Sequence, residues 1–317
     1  MKIPRPDDKD VSDHIVGVLQ TFGEATLDQI ARAVPFMDEH VAPVIATLAA
    51  QGVVTIDGEV ARASIPPDDR RVAIARLARA IFSPDLTPAL DARLASSLYD
   101  ELRRRAVGRP TEDIEFRQRH VTLRTALLRA LYLCYRRDLY GKRIVLLGDD
   151  DLTSLALALV GGYESLHVLE VDHRLVSFLE DRLGDAATIV AWDARDDVPS
   201  KLLGAADTFL CDPSRRLYDL FLRRGTELTA PDGVLYLFAN PSHSPPLEFS
   251  PLLTRILGSG LLLTDVVPFF NDYARNPEVM GSYGAFAASA SGEGISFTES
   301  LIRAAKGNPE ELARRPR

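Results

Sequence analysis

Cysteine is scarce in this sequence, which has only Cys134 and Cys211 among its 317 residues. Both lie inside apolar segments, and they are too far apart to form a Cys-x-x-Cys pair. A disulfide framework or a thiolate metal cluster needs more cysteines at closer spacing. We therefore predict two buried structural thiols and expect no bound metal.

Long apolar runs are also absent. No segment approaches the roughly 20 apolar residues that span a membrane, and residues 1–10 lack the apolar core of a secretion signal. We expect a cytoplasmic protein with no membrane partner. Basic residues are fewer than acidic ones, 37 against 45, which gives a net charge of -8. This balance disfavours binding to nucleic acid and is compatible with cationic metabolites.

Strand and helix patterns alternate from Arg143 onward. The predicted strands are 143–148, 166–171, 187–192, 207–211 and 233–239, and the predicted helices are 152–160, 173–183 and 217–224. Such alternation predicts an α/β fold with a doubly wound parallel sheet of the Rossmann type. Segments 261–268 and 285–289 could add two late strands, as in the sheets of transferases that use S-adenosylmethionine.

The first 65 residues follow a different order, and we predict that they form a small winged-helix domain. Helical patterns at 11–21, 26–34 and 37–51 precede a hairpin at 53–63. Winged-helix domains often bind DNA through the third helix. Residues 33–61 contain no Lys or Arg, however, and phosphate contacts supply most non-specific affinity for DNA. We expect a structural or dimerising role and no nucleic-acid partner.

Breaks in the pattern divide the chain further. A stretch rich in Pro and Asp at 65–69 leads into a helical connector, in which 116–140 predicts one long helix with Gln118 near a cleft. The charged C-terminal segment is either a mobile lid or a frayed tail. The predicted boundaries are 1–65 for the winged-helix domain, 66–142 for the connector, 143–292 for a Rossmann-like catalytic domain and 293–317 for the tail.

Three consecutive carboxylates, Asp149, Asp150 and Asp151, follow Gly148 at the turn between the first predicted strand and its helix. Dinucleotide-binding domains keep a glycine-rich phosphate loop here, and three carboxylates would repel a pyrophosphate. One aspartate would suffice to cap the helix, and adjacent ones repel one another. The turn therefore argues against NAD and predicts a cationic ligand.

Acidic residues also follow the next strands. Because ligands of such sheets bind at the carboxyl ends of the strands, these residues outline one site. Each alone could be a helix cap or a solvated turn. Together they predict a pocket for a sulfonium nucleoside, S-adenosylmethionine or its decarboxylated form. Glu170 and Asp172 are candidates for the ribose hydroxyls, Asp193-Ala194 for the adenine amino group, and Asp212-Pro213 for the reacting centre.

These features resemble the branched-chain polyamine synthase family, whose members are N(4)-bis(aminopropyl)spermidine synthases. The resemblance spans most of the chain. It is carried by Glu115–Gln118 with Thr122 and Thr125, Gly148–Ser154, Asp212-Pro213, Phe270–Tyr273 and Ser300–Arg303. It implies a dimeric cytosolic enzyme that moves aminopropyl groups from decarboxylated S-adenosylmethionine to a linear polyamine such as spermidine, releasing methylthioadenosine. It also implies that the acidic triplet lies near the acceptor amine.

The expected site combines both lines of argument. The attacking amine must lose a proton, yet nearby carboxylates raise the pKa of that amine while they hold it. One carboxylate, with Asp151 as the first candidate, could take the proton while others bind distal ammonium groups. The expected catalytic residues are Asp149, Asp150, Asp151 and Asp212, and the expected donor-binding residues are Gln118, Gly148, Asp149, Glu170, Asp172, Asp193, Ala194, Asp212 and Pro213.

One departure keeps alternatives open. Where the family has Asp-Pro-Pro-Glu-Thr, this chain continues after Pro213 with Ser214, Arg215 and Arg216. The arginines either point to solvent or face the site, where they would suit a carboxylate. A methyl- or aminocarboxypropyl-transferase that uses intact S-adenosylmethionine on an amine is therefore one alternative. A winged-helix regulator that senses a ligand is another.

Overall fold

The computed structural model describes most of the chain, in two compact units formed by residues 1–95 and 96–317. The described residues are 8–27, 29, 30, 34, 38–64, 69–82, 92–239, 246–274 and 295–307.

The N-terminal unit packs helices against a small antiparallel sheet. Its elements are α1 (Asp8–Phe22), β1 (Glu24–Thr26), α2 (Asp38–Ala50), β2 (Val54–Asp57), β3 (Val60–Ala63) and α3 (Asp69–Phe82). The strand order is β1-β3-β2. Apolar side chains of α1, including Ile15 and Leu19, are fully buried. The predicted helices 11–21 and 37–51 and the hairpin are confirmed. Helix 26–34 lies partly outside the described residues, and the winged-helix assignment stays a prediction.

The C-terminal unit is built on a seven-stranded sheet. Its order is β6-β5-β4-β7-β8-β10-β9, with β4 to β8 parallel and β10 antiparallel to both of its neighbours. The doubly wound parallel sheet is confirmed. Its elements, with the helix α4 that begins before it, are α4 (Ala92–Arg105), α5 (Leu123–Arg136), β4 (Arg143–Leu147), α6 (Thr153–Val160), β5 (Ser165–Glu170), α7 (His173–Leu183), β6 (Thr188–Ala191), β7 (Ala206–Cys211), α8 (Tyr218–Leu228), β8 (Thr229–Ala239), α9 (Pro246–Gly258), β9 (Leu261–Ala274) and β10 (Ile295–Lys306).

Strand β4 lies between β5 and β7, and its apolar run from Ile144 to Leu147 is buried on both faces. Such a run is typical of a central parallel strand covered by helices on both sides. Since β5 and β7 run in the same direction as β4, the chain leaves all three strands at one edge of the sheet. The acidic turn after β4 is thereby placed beside Glu170 and Asp212.

Two predictions about elements are wrong in part. The predicted helix 116–140 begins only at Leu123, where the Thr122 hydroxyl caps it by accepting a bond from the Thr125 amide. Arg117 has a φ of 59°, which is incompatible with a right-handed helix.

The second prediction that is wrong in part is the C-terminal tail at 293–317. Residues 295–306 form β10 inside the sheet, because their backbone pairs with both β8 and β9. The predicted strand 285–289 lies outside the described residues. Among those that are described, no helix combines the length and apolarity needed to cross a membrane.

Helix α8 packs closely on the sheet at Gly225, which gives a test of the fold. A Cβ there would lie 2.7 Å from Cε1 of Phe209 and 2.8 Å from Cδ2 of Leu235. We expect Gly225→Ala to lower the free energy of unfolding by about 1–3 kcal/mol through overpacking. Gly258→Ala is the matched control, since its Cβ would meet nothing within 4 Å. Urea denaturation measures both, and equal losses in the two variants would contradict this packing.

Candidate active site

Two adjoining cavities open at the carboxyl ends of β4, β5 and β7. The first, of about 270 Å³, is called the acidic cavity because four carboxylates line it, those of Asp150, Glu170, Asp212 and Glu299. Its wall also carries Arg117, Arg119 and Arg215. The second, of about 210 Å³, is called the apolar cavity and is lined mainly by Phe116, Val171, Trp192, Leu220 and Phe221. The two cavities share one wall, formed by Phe116, Arg117, Leu147, Gly148, Glu170, Val171, Leu217 and Phe221. The geometry therefore places an acidic compartment directly beside an apolar one.

Asp149 holds the turn that separates β4 from α6. Its buried carboxylate accepts bonds from the Ser154 amide at 3.2 Å and from the Ser154 hydroxyl. Its own amide donates to Glu170 at 2.8 Å. Burial raises the pKa of Asp149 to about 7, and the Ser154 bonds oppose that rise. The Asp149 side chain is thus engaged within the protein.

Asp150 lies on the wall of the acidic cavity. Its Oδ2 accepts a bond from the Arg119 amide at 3.1 Å, and its carbonyl accepts one from Arg109. Burial, together with the charges of Asp151 and Glu170, raises the pKa of Asp150 well above its usual value. A cation entering the cavity would relieve this electrostatic cost by favouring the ionised carboxylate.

Asp151 is held by the buried Arg129. Arg129 Nη1 donates to Asp151 Oδ2 at 2.7 Å, and the Val121 amide donates to the other oxygen at 2.8 Å. Burial alone would raise the pKa of Asp151, but Arg129 and the amide outweigh it and the pKa is lowered. Burial would lower the pKa of Arg129, but Asp151 and Asp212 raise it. Both groups are therefore charged.

Arg129 also joins Asp151 to Asp212. Its Nη2 donates to Asp212 Oδ2, and its guanidinium carbon lies 3.8 Å from the ring centroid of Phe238. A guanidinium with donors in a fixed fork suits this bridging role. The Asp212 side chain keeps 13% of its surface exposed, against 4% for Asp151. Of these two carboxylates, Asp212 is the one that can meet a ligand.

Asp212 has further partners on β9, one of which also contacts Glu299 of β10. Tyr273 Oη lies 2.7 Å from Asp212 Oδ2 and 2.8 Å from Glu299 Oε2. Asn271 Nδ2 donates to the same Asp212 oxygen at 3.4 Å. Burial, partly offset by Arg129, raises the pKa of Asp212 to about 7. Burial and the Asp212 charge raise the pKa of Glu299 to about 8.

The two residues predicted for the ribose have different surroundings. Glu170 ends β5 and lines both cavities, and its carboxylate accepts bonds from the amides of Asp149, Val171 and Asp172. Asp172 instead caps α7, pairs with Arg174 at 2.6 Å and accepts a bond from Gln118 at 2.9 Å. Its pKa falls to about 2, because the Arg174 and Gln118 bonds outweigh the effect of burial. Glu170 is therefore the better placed carboxylate for a ribose.

The remaining predicted residues lie on the cavity walls. Asp193 and Ala194 line the apolar cavity, where Asp193 pairs with Arg195 at 2.5 Å. Gln118 and Pro213 line the acidic cavity. Among the residues that the structure describes, no three His, Cys, Asp or Glu side chains are grouped so that they could hold a metal ion.

The two arginines after Ser214 are both exposed, but they differ in position. Arg215 contributes to the lining of the acidic cavity. Arg216 lines a separate cavity together with Arg117, Ser214 and Arg215. The departure from the family pattern therefore adds Arg215 to a wall that already carries Arg117 and Arg119 beside the four carboxylates.

Three residues of this site were absent from the predicted set: Arg129, Tyr273 and Glu299. Arg129 carried a signal, because it stands alone between apolar residues of α5 and a charge in such a position needs a partner. Tyr273 and Glu299 come from β9 and β10, far from the acidic turn in sequence. No local pattern joins them to Asp212.

The sequence is similar to that of branched-chain polyamine synthases. The family model described as "Branched-chain polyamine synthase A C-terminal domain" matches residues 97–287. An N(4)-bis(aminopropyl)spermidine synthase of Thermococcus kodakarensis is 32% identical over 186 residues, 56% of this chain and 53% of that protein. A synthase of the same name from Methanocaldococcus jannaschii is 29% identical over 174 residues, 52% of this chain and 50% of that protein. The chain thus spans about half the length of the curated relatives it matches.

A solved structure shares the fold. It is a branched-chain polyamine synthase mutein from Thermus thermophilus, in complex with N4-aminopropylspermidine and 5'-methylthioadenosine. The TM-score is 0.60 at 21% identity, and the match covers 93% of this chain and 86% of that one. At this identity, the similarity establishes the fold of the sheet.

The Arg129 bridge gives a prediction about stability. Arg129→Met leaves Asp151 and Asp212 buried without their guanidinium, so the folded-state pKa of Asp151 rises above its unfolded value and that of Asp212, already raised, rises further. A raised carboxyl pKa costs stability as pH increases, because the unfolded chain then releases protons that the folded chain retains. We expect a loss of about 3–5 kcal/mol at pH 8 and a smaller loss at pH 5.

Urea denaturation at the two pH values measures this effect. Arg255→Met is the control, because Arg255 pairs with Asp219 on an exposed surface, with 51% and 72% of the side chains accessible. Its loss should stay below about 1 kcal/mol at both pH values. A pH-independent loss in Arg129→Met would show that the buried carboxylates do not depend on the guanidinium.

Proposed function

Because the chain belongs to the branched-chain polyamine synthase family, we propose that it transfers aminopropyl groups from decarboxylated S-adenosylmethionine to an amine of a linear polyamine such as spermidine. The products are a branched polyamine and methylthioadenosine. The observation that carries the proposal is the acidic cavity that adjoins an apolar one at the carboxyl ends of β4, β5 and β7. Relatives named N(4)-bis(aminopropyl)spermidine synthase support the same activity.

The donor nucleoside would occupy the apolar cavity. Trp192, Phe221 and Val171 offer apolar surface to an adenine ring, and Asp193 and Ala194 lie at the same wall. Glu170 would accept hydrogen bonds from the ribose hydroxyls, since it lies where the two cavities meet. The sulfonium centre would then point toward the acidic cavity, whose carboxylates attract its positive charge.

The acceptor amine would occupy the acidic cavity. Asp150 and Asp212 are the members of the predicted catalytic set that line it, and we assign them to contact with the amine. Asp149 and Asp151 bond to Ser154, Val121 and Arg129, and we assign them to positioning. Asp150 would hold an ammonium group, while Asp212 would face the attacking nitrogen.

The reaction forms one bond and breaks another. The amine nitrogen attacks the methylene beside sulfur, a C–N bond forms, and the C–S bond breaks with its electron pair passing to sulfur. Alignment of nitrogen, carbon and sulfur by the two cavities supplies part of the acceleration. The nitrogen must first lose a proton, because roughly one amine in a thousand or fewer is neutral at pH 7. Asp212, with a pKa of about 7, suits this role better than Asp151, whose pKa is lowered.

A second candidate function has one observation in its favour. Arg215 lines the acidic cavity, and a guanidinium there suits the carboxylate of intact S-adenosylmethionine. The enzyme would then transfer a methyl or aminocarboxypropyl group to an amine. We further propose, on the family resemblance, a cytoplasmic homodimer that uses no metal and whose N-terminal winged helix has a structural role.

Product analysis tests the proposed function. Spermidine incubated with decarboxylated S-adenosylmethionine should gain aminopropyl masses and release methylthioadenosine, as measured by mass spectrometry. Asp212→Asn should lower kcat by about 10²-fold or more, because the amide cannot accept the proton. Asp219→Asn is the matched control on an exposed surface. Consumption of intact S-adenosylmethionine with the decarboxylated donor untouched would exclude the proposal in favour of the second candidate.

Arg215 gives a separate prediction. If the acceptor is a polyamine, the positive side chain at the cavity wall repels it, and Arg215→Glu should lower the KM for spermidine about fivefold at low salt. High salt should reduce the difference, since it screens exposed charges. Arg223→Glu, an exposed change on α8 outside both cavities, is the control. An unchanged KM for spermidine with a raised KM for intact S-adenosylmethionine would indicate a carboxylate-binding role.

A further inference from the structure

We propose that Glu299 is a second proton acceptor of the transfer reaction, linked to Asp212 through the hydroxyl of Tyr273. The inference rests on the proposed aminopropyl transfer and deepens it by following the proton after it leaves the amine. Glu299 lies on β10, beyond residues 97–287 that the family model matches. The proposal therefore depends on contacts within this structure.

The geometry of Tyr273 carries the argument. Its oxygen contacts Asp212 at 2.7 Å and Glu299 at 2.8 Å, and the side chain is buried. A phenol has one proton, so it can donate to one of the two carboxylates and must accept from the other. The second contact is favourable only if that carboxyl group carries a proton itself. When both contacts are favourable, the three side chains therefore hold two protons. One belongs to the phenol, and the other is shared by the two carboxyl groups.

The surrounding charges fit a shared proton. Arg129 compensates one negative charge of the group that also contains Asp151, Arg109 lies 4.0 Å from Asp151, and Asp150 is a further carboxyl group nearby whose own pKa is raised. Burial raises the pKa of Asp212 to about 7 and that of Glu299 to about 8, and burial with the nearby carboxylates raises that of Tyr273 well above its usual value. Asp212 and Glu299 thus titrate as a pair near neutral pH, while Tyr273 remains a neutral phenol.

The proton path can be written step by step. The substrate ammonium gives its proton to ionised Asp212 and becomes a neutral amine. Asp212 passes a proton to the Tyr273 oxygen while Tyr273 gives its own proton to Glu299. Glu299 lies on the cavity wall and releases the proton there. The neutral amine then attacks, and the product nitrogen takes the positive charge that sulfur loses, so that one proton is released for each transfer.

In this path, one carboxylate stores the proton while another carries the negative charge beside the nitrogen. A single carboxylate could not do both at once. After Asp212 accepts a proton it is neutral and attracts the adjacent cation less strongly. Passing that proton to Glu299 restores the negative charge beside the nitrogen while the sulfonium is attacked. The restored carboxylate stabilises the positive charge that develops on nitrogen.

The pH profile of kcat tests the proposal. In the parent enzyme, kcat should rise between pH 6 and pH 9 as both carboxylates ionise. Glu299→Gln keeps a polar contact with Tyr273 but cannot accept a proton, so we expect kcat at pH 7 to fall by about tenfold to a hundredfold. We also expect the rise of kcat with pH in this variant to follow a single ionisation, that of Asp212. Tyr273→Phe breaks the same path and should give the same profile, and the double variant should lose little more activity than either single one.

Controls separate this role from a structural one. Glu180→Gln, on an exposed face of α7, should match the parent. Binding of methylthioadenosine and the melting temperature report folding of each variant, and Tyr273→Phe provides the test if Glu299→Gln does not fold. Profiles of both variants that run parallel to the parent profile would overturn the proposal while leaving aminopropyl transfer intact. A parent enzyme that forms no aminopropyl product would remove the proposed function and this inference with it.

Discussion

The buried guanidinium of Arg129 is the interaction on which the rest of the site depends. It joins Asp151, in the turn after β4, to Asp212, at the end of β7, and it lies over Phe238 of β8. Two carboxylates this deep in the protein would otherwise be uncharged or strongly destabilising. The guanidinium allows the turn to carry consecutive aspartates and still pack against the sheet. A helix outside the sheet thereby fixes the spacing of the strand ends.

The same guanidinium divides the carboxylates into two kinds. Asp151 receives a close bond from Arg129 and an amide bond from Val121, so its pKa is lowered and its charge is fixed. Asp212 shares the cation but remains partly open to the cavity, and its pKa is raised. Environments that push neighbouring pKa values apart are how a set of similar groups takes on different roles. Asp151 and Asp212 are the same type of residue, so the sequence alone does not show which one keeps its charge and which one exchanges a proton.

The sequence was informative about the fold where the pattern is local. The apolar strands and the acidic residues that follow them are readable because side-chain periodicity and strand ends are properties of short segments. Residues 116–122 do not follow their helical sequence pattern, because carboxylates of the acidic turn bind the amides of Arg119 and Val121. Arg129 and Asp212 are 83 residues apart, and only the packed sheet brings them together. The partners of each aspartate, and so its role, could not be predicted.

Of the strands that the structure describes, β10 is the last in sequence, but it lies between β8 and β9 in the sheet. Within the described sheet, β9 pairs with β10, a strand that the ribosome makes after it. Tyr273 and Glu299 are carried by these two strands. A chain still emerging from the ribosome could pair β4 to β8, and thus form most of the apolar cavity, before Tyr273 and Glu299 complete the wall of the acidic one. In order of synthesis, the proposed donor pocket would then form before the proposed proton-accepting pair.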